Sequence, residues 1–230
     1  MQTTHELSQQ SPDIFTEGSI EYPMTDVEAA VVASEYDELS EQSGWDSPER
    51  AQTLVGDYIK EGSVVLDLGV GTGQAVRGYA EKGALVIGFD HDSEMLEVAQ
   101  AVTGESGNMR LADINEPLPV DDLYEQVDVV QAVGVLEFAS DLGNILAQVE
   151  STLKTDGVFV FTTEVMEESN LAVETFPEAG VTIYRHTVDE VKQLLEEIGL
   201  KVVTDEGYGG YARDDVADKV PYHIFLVQKS

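Results

Sequence analysis

Apolar residues in this chain fall first on helical stripes and then in short runs separated by helical stretches. From Asp26 to Gln42, Val27, Ala30, Val31, Ser34 and the segment Tyr36 to Leu39 keep one face apolar, the period of a helix. Ser47-Pro48-Glu49 predicts a second helix, through Lys60, because serine caps helix N-termini and proline fits the first helical position. Beyond Gly62 the short run Val64-Val65-Leu66 reads as a buried strand. A helix is expected from Gly73 to Lys82, a second strand at Leu85 to Phe89, and a helix from Asp92 or Ser93 to about Ala101. Met109 to Leu111 is a short third strand and Val127 to Val133 a fourth. Asp141 caps a helix reaching about Leu153, and Val158 to Phe161 is the fifth strand. Thr187-Val188-Asp189-Glu190 matches a capping box, opening a helix that ends at Gly199. Lys201 to Val203 and Tyr222 to Val227 close the chain as two strands.

Alternating strands and helices predict an α/β fold, a doubly wound, mostly parallel sheet covered on both faces. The last two strands have no helix between them and should pair antiparallel, since a parallel pair needs a crossover. Residues 1–25 are polar, contain Pro12 and Pro23, and show no sustained period. They are expected to be a flexible arm or part of a cap over a site. The rest, 26–230, is expected to be one domain, with cap helices at 26–60 and the core at 61–230.

Composition narrows the partners. Twelve Lys and Arg stand against 45 Asp and Glu, a net charge of −33. Such a field repels polyanions, so neither nucleic acid nor an anionic membrane is an expected partner. It is either a strongly solvated surface or one adapted to high salt, where ions screen its self-repulsion. No stretch approaches the roughly 20 apolar residues of a membrane span. Met1 to Glu6 lacks the basic start and apolar core of a signal peptide, so the expected compartment is the cytoplasm. Without cysteine there is no disulfide, thiolate site or Cys nucleophile. His5, His91, His186 and His223 have no metal-ligand spacing, and no metal is expected.

The chemistry begins after the first strand, at Asp67-Leu68-Gly69-Val70-Gly71-Thr72-Gly73-Gln74. Alternating glycines at a strand-to-helix turn let the backbone bend sharply and approach a ligand. A dinucleotide fingerprint would need glycine at Gln74 or Val76, and a P-loop would need Gly-Lys-Ser/Thr; neither is present. Asp90, ending the second strand, is placed to accept hydrogen bonds from both ribose hydroxyls of a nucleoside, or alternatively to cap the next helix.

Val64 to Gln74 resembles motif I of the class I S-adenosylmethionine-dependent methyltransferases. Val86 to Asp90 with Ser93 to Leu96 resembles motif II, and Leu111 to Ile114 with Pro117 to Pro119 resembles the acidic motif near the adenine. Asp128 to Glu137 resembles motif IV and its extension, and Leu153 to Gly157 the family's Leu-Lys-Pro-Gly-Gly turn. The resemblance covers Tyr36 to about Gly199. It implies a Rossmann-like seven-stranded sheet with the last strand antiparallel, S-adenosyl-L-methionine as cofactor, and methyl transfer to a small-molecule acceptor. It also implies that Asp67 holds the methionine amine and that Gly69, Gly71 and Gly73 admit the cofactor. Asp90 would bind the ribose, Asp113 the adenine amino group with Ile114 against the ring, and Ala132 and Val133 would flank the methionine. Tyr36 and His91 join this cofactor-binding set. Three departures stand out. Val70 replaces a smaller residue, Thr155-Asp156 replaces Pro-Gly, and Glu137 stands where many relatives carry His.

Glu137 and His186 are the candidate catalytic residues. A carboxylate at Glu137 either takes a proton from the acceptor, orients a cationic acceptor, or simply leans to solvent or caps a turn. His186 either lines the acceptor pocket or finishes a loop. Trp45 and Tyr36 read equally as core aromatics or as parts of an acceptor lid, and Asp141 with Asn144 as a helix cap. Another enzyme using the same cofactor, a nucleotide-dependent oxidoreductase and a non-catalytic cofactor-binding module remain open alternatives.

Overall fold

The computed structural model describes residues 35–167, 171–177, 180–212 and 219–230. The arm at 1–25, the first helix from Asp26 to Ser34, and the Asp214-Asp215 pair lie outside the described residues. The elements are α1 (35–42), α2 (Ser47–Val55), β1 (Val64–Leu68), β2 (Leu85–Asp90), α3 (Ser93–Thr103) and β3 (Gly107–Leu111). Then follow β4 (Val127–Ala132), α4 (Leu142–Thr152), β5 (Leu153–Glu164), β6 (Val173–Phe176), β7 (Val181–Tyr184), α5 (Val188–Glu197), β8 (Leu200–Gly209) and β9 (Pro221–Lys229).

Seven strands form one sheet in the order β3-β2-β1-β4-β5-β9-β8. The first five run parallel, and β9 runs antiparallel to both β5 and β8. The sheet is buried because helices cover both faces. Leu142, Ile145 and Leu146 of α4 and Val191 and Leu195 of α5 join one apolar cluster. Ala51 and Val55 of α2 and Leu96 and Ala99 of α3 join the other. Strand order reverses at β1, whose neighbours are β2 and β4. In open α/β sheets, ligands lie beyond the strand carboxyl ends at such a reversal.

Local chemistry explains the helix starts. Asp92 caps α3 by accepting from the Glu94 and Met95 amides, and Asp141 caps α4 through the Asn144 amide. Thr187 and Glu190 form the capping box of α5. Asp46, not Ser47, occupies the N-cap of α2 without capping through its side chain; the Asp46 carboxylate binds Arg50 instead. The Ser47 hydroxyl is buried against that of Tyr208.

The expected helix from Gly73 to Lys82 does not form. Two 3-10 turns, Gln74–Val76 and Ala80–Lys82, stand there instead. Arg77 leaves the first in an extended conformation, and Gly78 follows at φ 87, which no α-helix accommodates. Strands 3, 5 and 8 are longer than their apolar runs, and the β6–β7 hairpin, half-buried with Ile183 its one buried residue, has no counterpart in the sequence pattern.

Candidate active site

The glycine turn leaves β1 at its carboxyl end, with Gly69, Gly71 and Gly73 at φ 69, 51 and 83, all in the left-handed region that favours glycine. They differ in surroundings. A Cβ on Gly69 would lie 2.7 Å from Val135, and one on Gly73 would touch Ala99 and Val102, but one on Gly71 meets nothing within 4 Å. Gly71 is therefore where backbone lies open to a ligand. Val70 follows Gly69 in the turn. It is buried over Gly88 of β2, whose missing side chain leaves the room.

Asp90 closes the turn from the side. One carboxylate oxygen accepts from the Gly71 amide at 2.8 Å, the other from the Asp92 amide at 3.0 Å. His91 Nδ1 lies 3.3 Å from the same carboxylate. Burial pushes the Asp90 carboxyl up, but bonds from His91, Asp92 and Gly71 outweigh it and leave it below its ordinary value. His91 is raised by Asp90, and its ring is largely exposed. Asp113 is exposed, folds back on the Asn115 amide, and adds to the negative field at His91; Ile114 packs on the core.

Asp67 lies deeper. It is 1% exposed and accepts from Gln131 Nε2 at 2.9 Å, while Gln131 Oε1 accepts from the Tyr79 hydroxyl at 3.1 Å. Burial, opposed by the Gln131 bond, pushes the Asp67 carboxyl up to about 8. Ala132 is fully buried opposite Leu68, and Val133 beyond it is half-buried.

The cap helix α1 is held by Asp37, which sequence patterning did not single out. Its carboxylate accepts from the Thr72 hydroxyl, from Gln74 Nε2 at 2.9 Å and from Arg77 Nη2 at 3.0 Å, tying the helix to the glycine turn. Tyr36, one residue earlier, has a half-exposed ring. Burial and the charges of Glu137, Asp90 and Asp37 raise its hydroxyl, so Tyr36 feels the acids of both halves of the site.

Glu137 sits in a 3-10 turn, Leu136–Phe138, after β4, and it is 2% exposed, so it neither leans to solvent nor caps by exposure. Oε1 accepts from the Tyr222 hydroxyl. Oε2 is the single buried side-chain N or O atom without a hydrogen-bond partner among the described residues. Burial, opposed chiefly by the Tyr222 bond, pushes Glu137 up to about 7.

Around it is a group of long-range contacts. Tyr222 on β9 lies opposite Glu164, the last residue of β5. Glu164 accepts from Arg185 Nε at 2.6 Å and from the Tyr211 hydroxyl at 3.2 Å. Arg185 also donates to Glu174 and to the Leu171 carbonyl. The Trp45 ring stands edge-on to Tyr222 at 5.1 Å and to Tyr211 at 6.0 Å. His186 lies beside this group, bridging backbone with Val165, and no hydrogen bond or ion pair joins its half-buried ring to Glu137 among the described residues. Thus Asp67, the glycines, Asp90, Ala132 and Tyr36 converge with Glu137, while His186 and the exposed Asp113 lie at the margin. In sequence, Arg185 was only the neighbour of His186 and Tyr222 only a strand residue. Their meeting with Glu137 has no local signal.

Residues 66–161 match the family model of a methyltransferase domain. Ribosomal protein L11 methyltransferase of Dictyoglomus turgidum is 32% identical over 125 residues, 54% of this chain and 40% of its own length. A ubiquinone biosynthesis O-methyltransferase of Actinobacillus pleuropneumoniae is 32% identical over 46% of this chain and 50% of its length. The matched stretch thus spans about half or less of these relatives. The fold is shared with a chain from the complex between the Haloferax volcanii Trm112 methyltransferase activator and a methyltransferase. The TM-score there is 0.68 at 22% identity, over 90% of this chain and 99% of that one. It is shared too with the 1,6-didemethyltoxoflavin-N1-methyltransferase of Burkholderia thailandensis, bound to 1,6-didemethyltoxoflavin and S-adenosylhomocysteine. That TM-score is 0.64 at 19% identity, over 93% and 95% of the two chains. Residues 66–161 thus carry a methyltransferase domain, and the motifs stand in order along the reversal of a seven-stranded sheet with the fold of S-adenosylmethionine-dependent methyltransferases.

Proposed function

We propose that the protein transfers a methyl group from S-adenosylmethionine to a small-molecule acceptor, with Glu137 receiving the acceptor's proton. The observation that carries this reading is the unpartnered Glu137 Oε2, buried beyond β4 on the side to which the glycine turn opens. A buried polar atom without a partner calls for one that the free protein does not supply.

The residues fit the cofactor. Gly71 offers open backbone, Asp90 ends β2 with a carboxylate able to take ribose hydroxyls, and Asp67 offers a buried carboxyl that an ammonium beside it would hold ionised. Asp113 and Ile114 are the candidates for the adenine, Ala132 and Val133 for the methionine chain, with Tyr36 and His91 at its edge. S-adenosylmethionine, when bound, supplies a methyl group already activated on sulfonium, so the protein's task is mainly alignment. Alignment of that kind is worth roughly 7–11 kcal/mol of a barrier. Glu137 lies near neutrality, the range in which a carboxylate exchanges a proton readily. His186 is the second candidate for that role.

Calorimetry tests the cofactor assignment. S-adenosylmethionine and S-adenosylhomocysteine should bind, NAD should not, and Asp90→Ala should weaken the first two. Binding of NAD without binding of the methyl donor would overturn the reading. With an acceptor in hand, Glu137→Gln should lower turnover roughly 10²–10⁴-fold while leaving cofactor affinity unchanged.

A further inference from the structure

The acceptor half of the site has a chemical character of its own. Two carboxylates are almost fully buried there, Glu137 at 2% and Glu164 at 1% exposure, and each accepts from a tyrosine hydroxyl. One cation, Arg185, is buried with them, and each of its three nitrogens already donates, to Glu164, Glu174 and the Leu171 carbonyl. At the rim, Arg50 pairs with Asp46 and stacks on Tyr208, while Lys219 Nζ donates to the Gly44 and Gly210 carbonyls. Among the described residues, then, Arg185, Arg50 and Lys219 are each already engaged, and the one buried side-chain atom without a partner is an acceptor oxygen, Glu137 Oε2. Trp45, Tyr211 and Tyr222 wall the same place, with centroids 5.1 to 6.0 Å apart and interplanar angles of 61° to 77°.

We propose that this chamber selects an amine acceptor, binding it as the ammonium with one N–H on Glu137 Oε2 and its charge near the Trp45 and tyrosine rings. The inference rests on the methyltransferase reading of the same site. Buried negative charge is costly unless paired, and an ammonium pairs it while donating to the empty oxygen. Aromatic faces add attraction for a desolvated cation. A carboxylate or phosphate acceptor would bring a further negative charge beside Glu137 and Glu164. An alcohol fills the hydrogen bond but leaves the charge uncompensated.

Chemistry follows from the same contact. Ammonium has no lone pair, so it must first pass a proton to the Glu137 carboxylate, which becomes the acid. The freed nitrogen pair forms the N–CH3 bond as the S–CH3 bond breaks, its pair remaining on sulfur. The product is an N-methylammonium, and Glu137 returns its proton to water. One proton is released per methyl transferred.

Trp45 is the chain's one tryptophan, so selectively excited tryptophan fluorescence reports on the surroundings of this ring. The test titrates full-length protein, saturated with S-adenosylhomocysteine, with 2-phenylethylamine and with its near-isosteres 2-phenylethanol and phenylacetate. The amine should bind at least tenfold tighter than either, and Glu137→Gln should erase most of that preference while alcohol binding stays as it was. Equal affinities, a preference for phenylacetate, or no saturable change with the amine would overturn the proposal, as would a Glu137→Gln protein that keeps the full preference. The isostere comparison on the unaltered protein stands even if the variant does not fold. Calorimetry of S-adenosylhomocysteine, run first, separates failure of the amine assignment from failure of the methyltransferase reading.

Discussion

Replacing Asp67 by Asn should stabilise the free protein at alkaline pH and weaken its hold on the cofactor. Asp67 is 1% exposed, and its carboxyl stands at about 8 against an ordinary 3.8. At about 1.4 kcal/mol per pH unit, that gap caps the cost of folding around an ionised Asp67 at about 6 kcal/mol. Relaxation and water entry reduce such penalties to several kcal/mol, and about 3 kcal/mol is the working figure. The folded state holds this proton more tightly than the unfolded chain. The stability it contributes is complete below about pH 4 and is lost as pH rises through about 8. Asn has nearly the same shape, keeps an oxygen for Gln131 Nε2, and has nothing to ionise. The variant's advantage should grow from nearly nothing at pH 4 to about 3 kcal/mol at pH 9, or about 6–12 °C in melting midpoint for a chain of this size. Melts of both proteins at matched pH and fixed ionic strength measure the difference directly and cancel titrations common to the two. A difference that does not change with pH, or one favouring the unaltered protein at pH 9, would refute the assignment of strain to Asp67. Calorimetry on the same variant should show cofactor affinity reduced tenfold or more, because the ammonium loses its buried counter-charge.

Asp37→Ala should cost about 1–2 kcal/mol, mostly from the Thr72 and Gln74 bonds, since Arg77 is 57% exposed and its pair counts for little. Hydrogen exchange should then speed at residues 35–42 and across the glycine turn, and unchanged exchange would remove Asp37 as the clamp. Gly69→Ala and Gly71→Ala carry similar left-handed strain of about 1–2 kcal/mol, but only the first drives a methyl group to 2.7 Å from Val135. Gly69→Ala should therefore lower the melting midpoint further, while Gly71→Ala should fold nearly normally and lose cofactor affinity as its methyl enters the crevice. Raising potassium chloride toward molar should lift the melting midpoint by screening the −33 net charge; a flat or falling midpoint would show that self-repulsion is not limiting.

The strand-and-turn geometry of the proposed cofactor half was legible because it is local. Strand, glycine turn, strand and terminal acid lie within Val64 to Asp90, and each part has a backbone reason that survives in the residue types. Left-handed geometry even shows through a substitution: Asp156, replacing the family's glycine, takes φ 64. Between these landmarks the reading failed where one residue overrode a period, as Gly78 does in the expected helix before β2. The acceptor half was illegible for the opposite reason. Tyr222 meets Glu137 across 85 positions and Ser47 meets Tyr208 across 161. Nothing local marks such pairs, because the sheet order that joins β9 to β5 brings them together. Glu137 could be named as a candidate, but its burial could not, since a carboxylate after an apolar run is more often solvated.

That burial separates two roles for negative charge in this protein. The exposed carboxylates create a field that attracts cations, yet at molar salt it decays within about 3 Å and directs little. Asp67, Glu137 and Glu164 are each no more than 2% exposed, where salt screens far less. Charge selection by these three residues, as proposed, should therefore persist when the surface field is silenced. It also gives the reaction a direction. S-adenosylmethionine carries a sulfonium charge that S-adenosylhomocysteine lacks, so a negative interior holds the donor better than the spent cofactor. An amine acceptor keeps its positive charge through methylation, and its release must instead come from losing the last N–H that Glu137 can grip or from outgrowing the ring-walled chamber. With an amine acceptor, the number of methyl groups added before release would be set by the space beside Trp45, Tyr211 and Tyr222 rather than by charge.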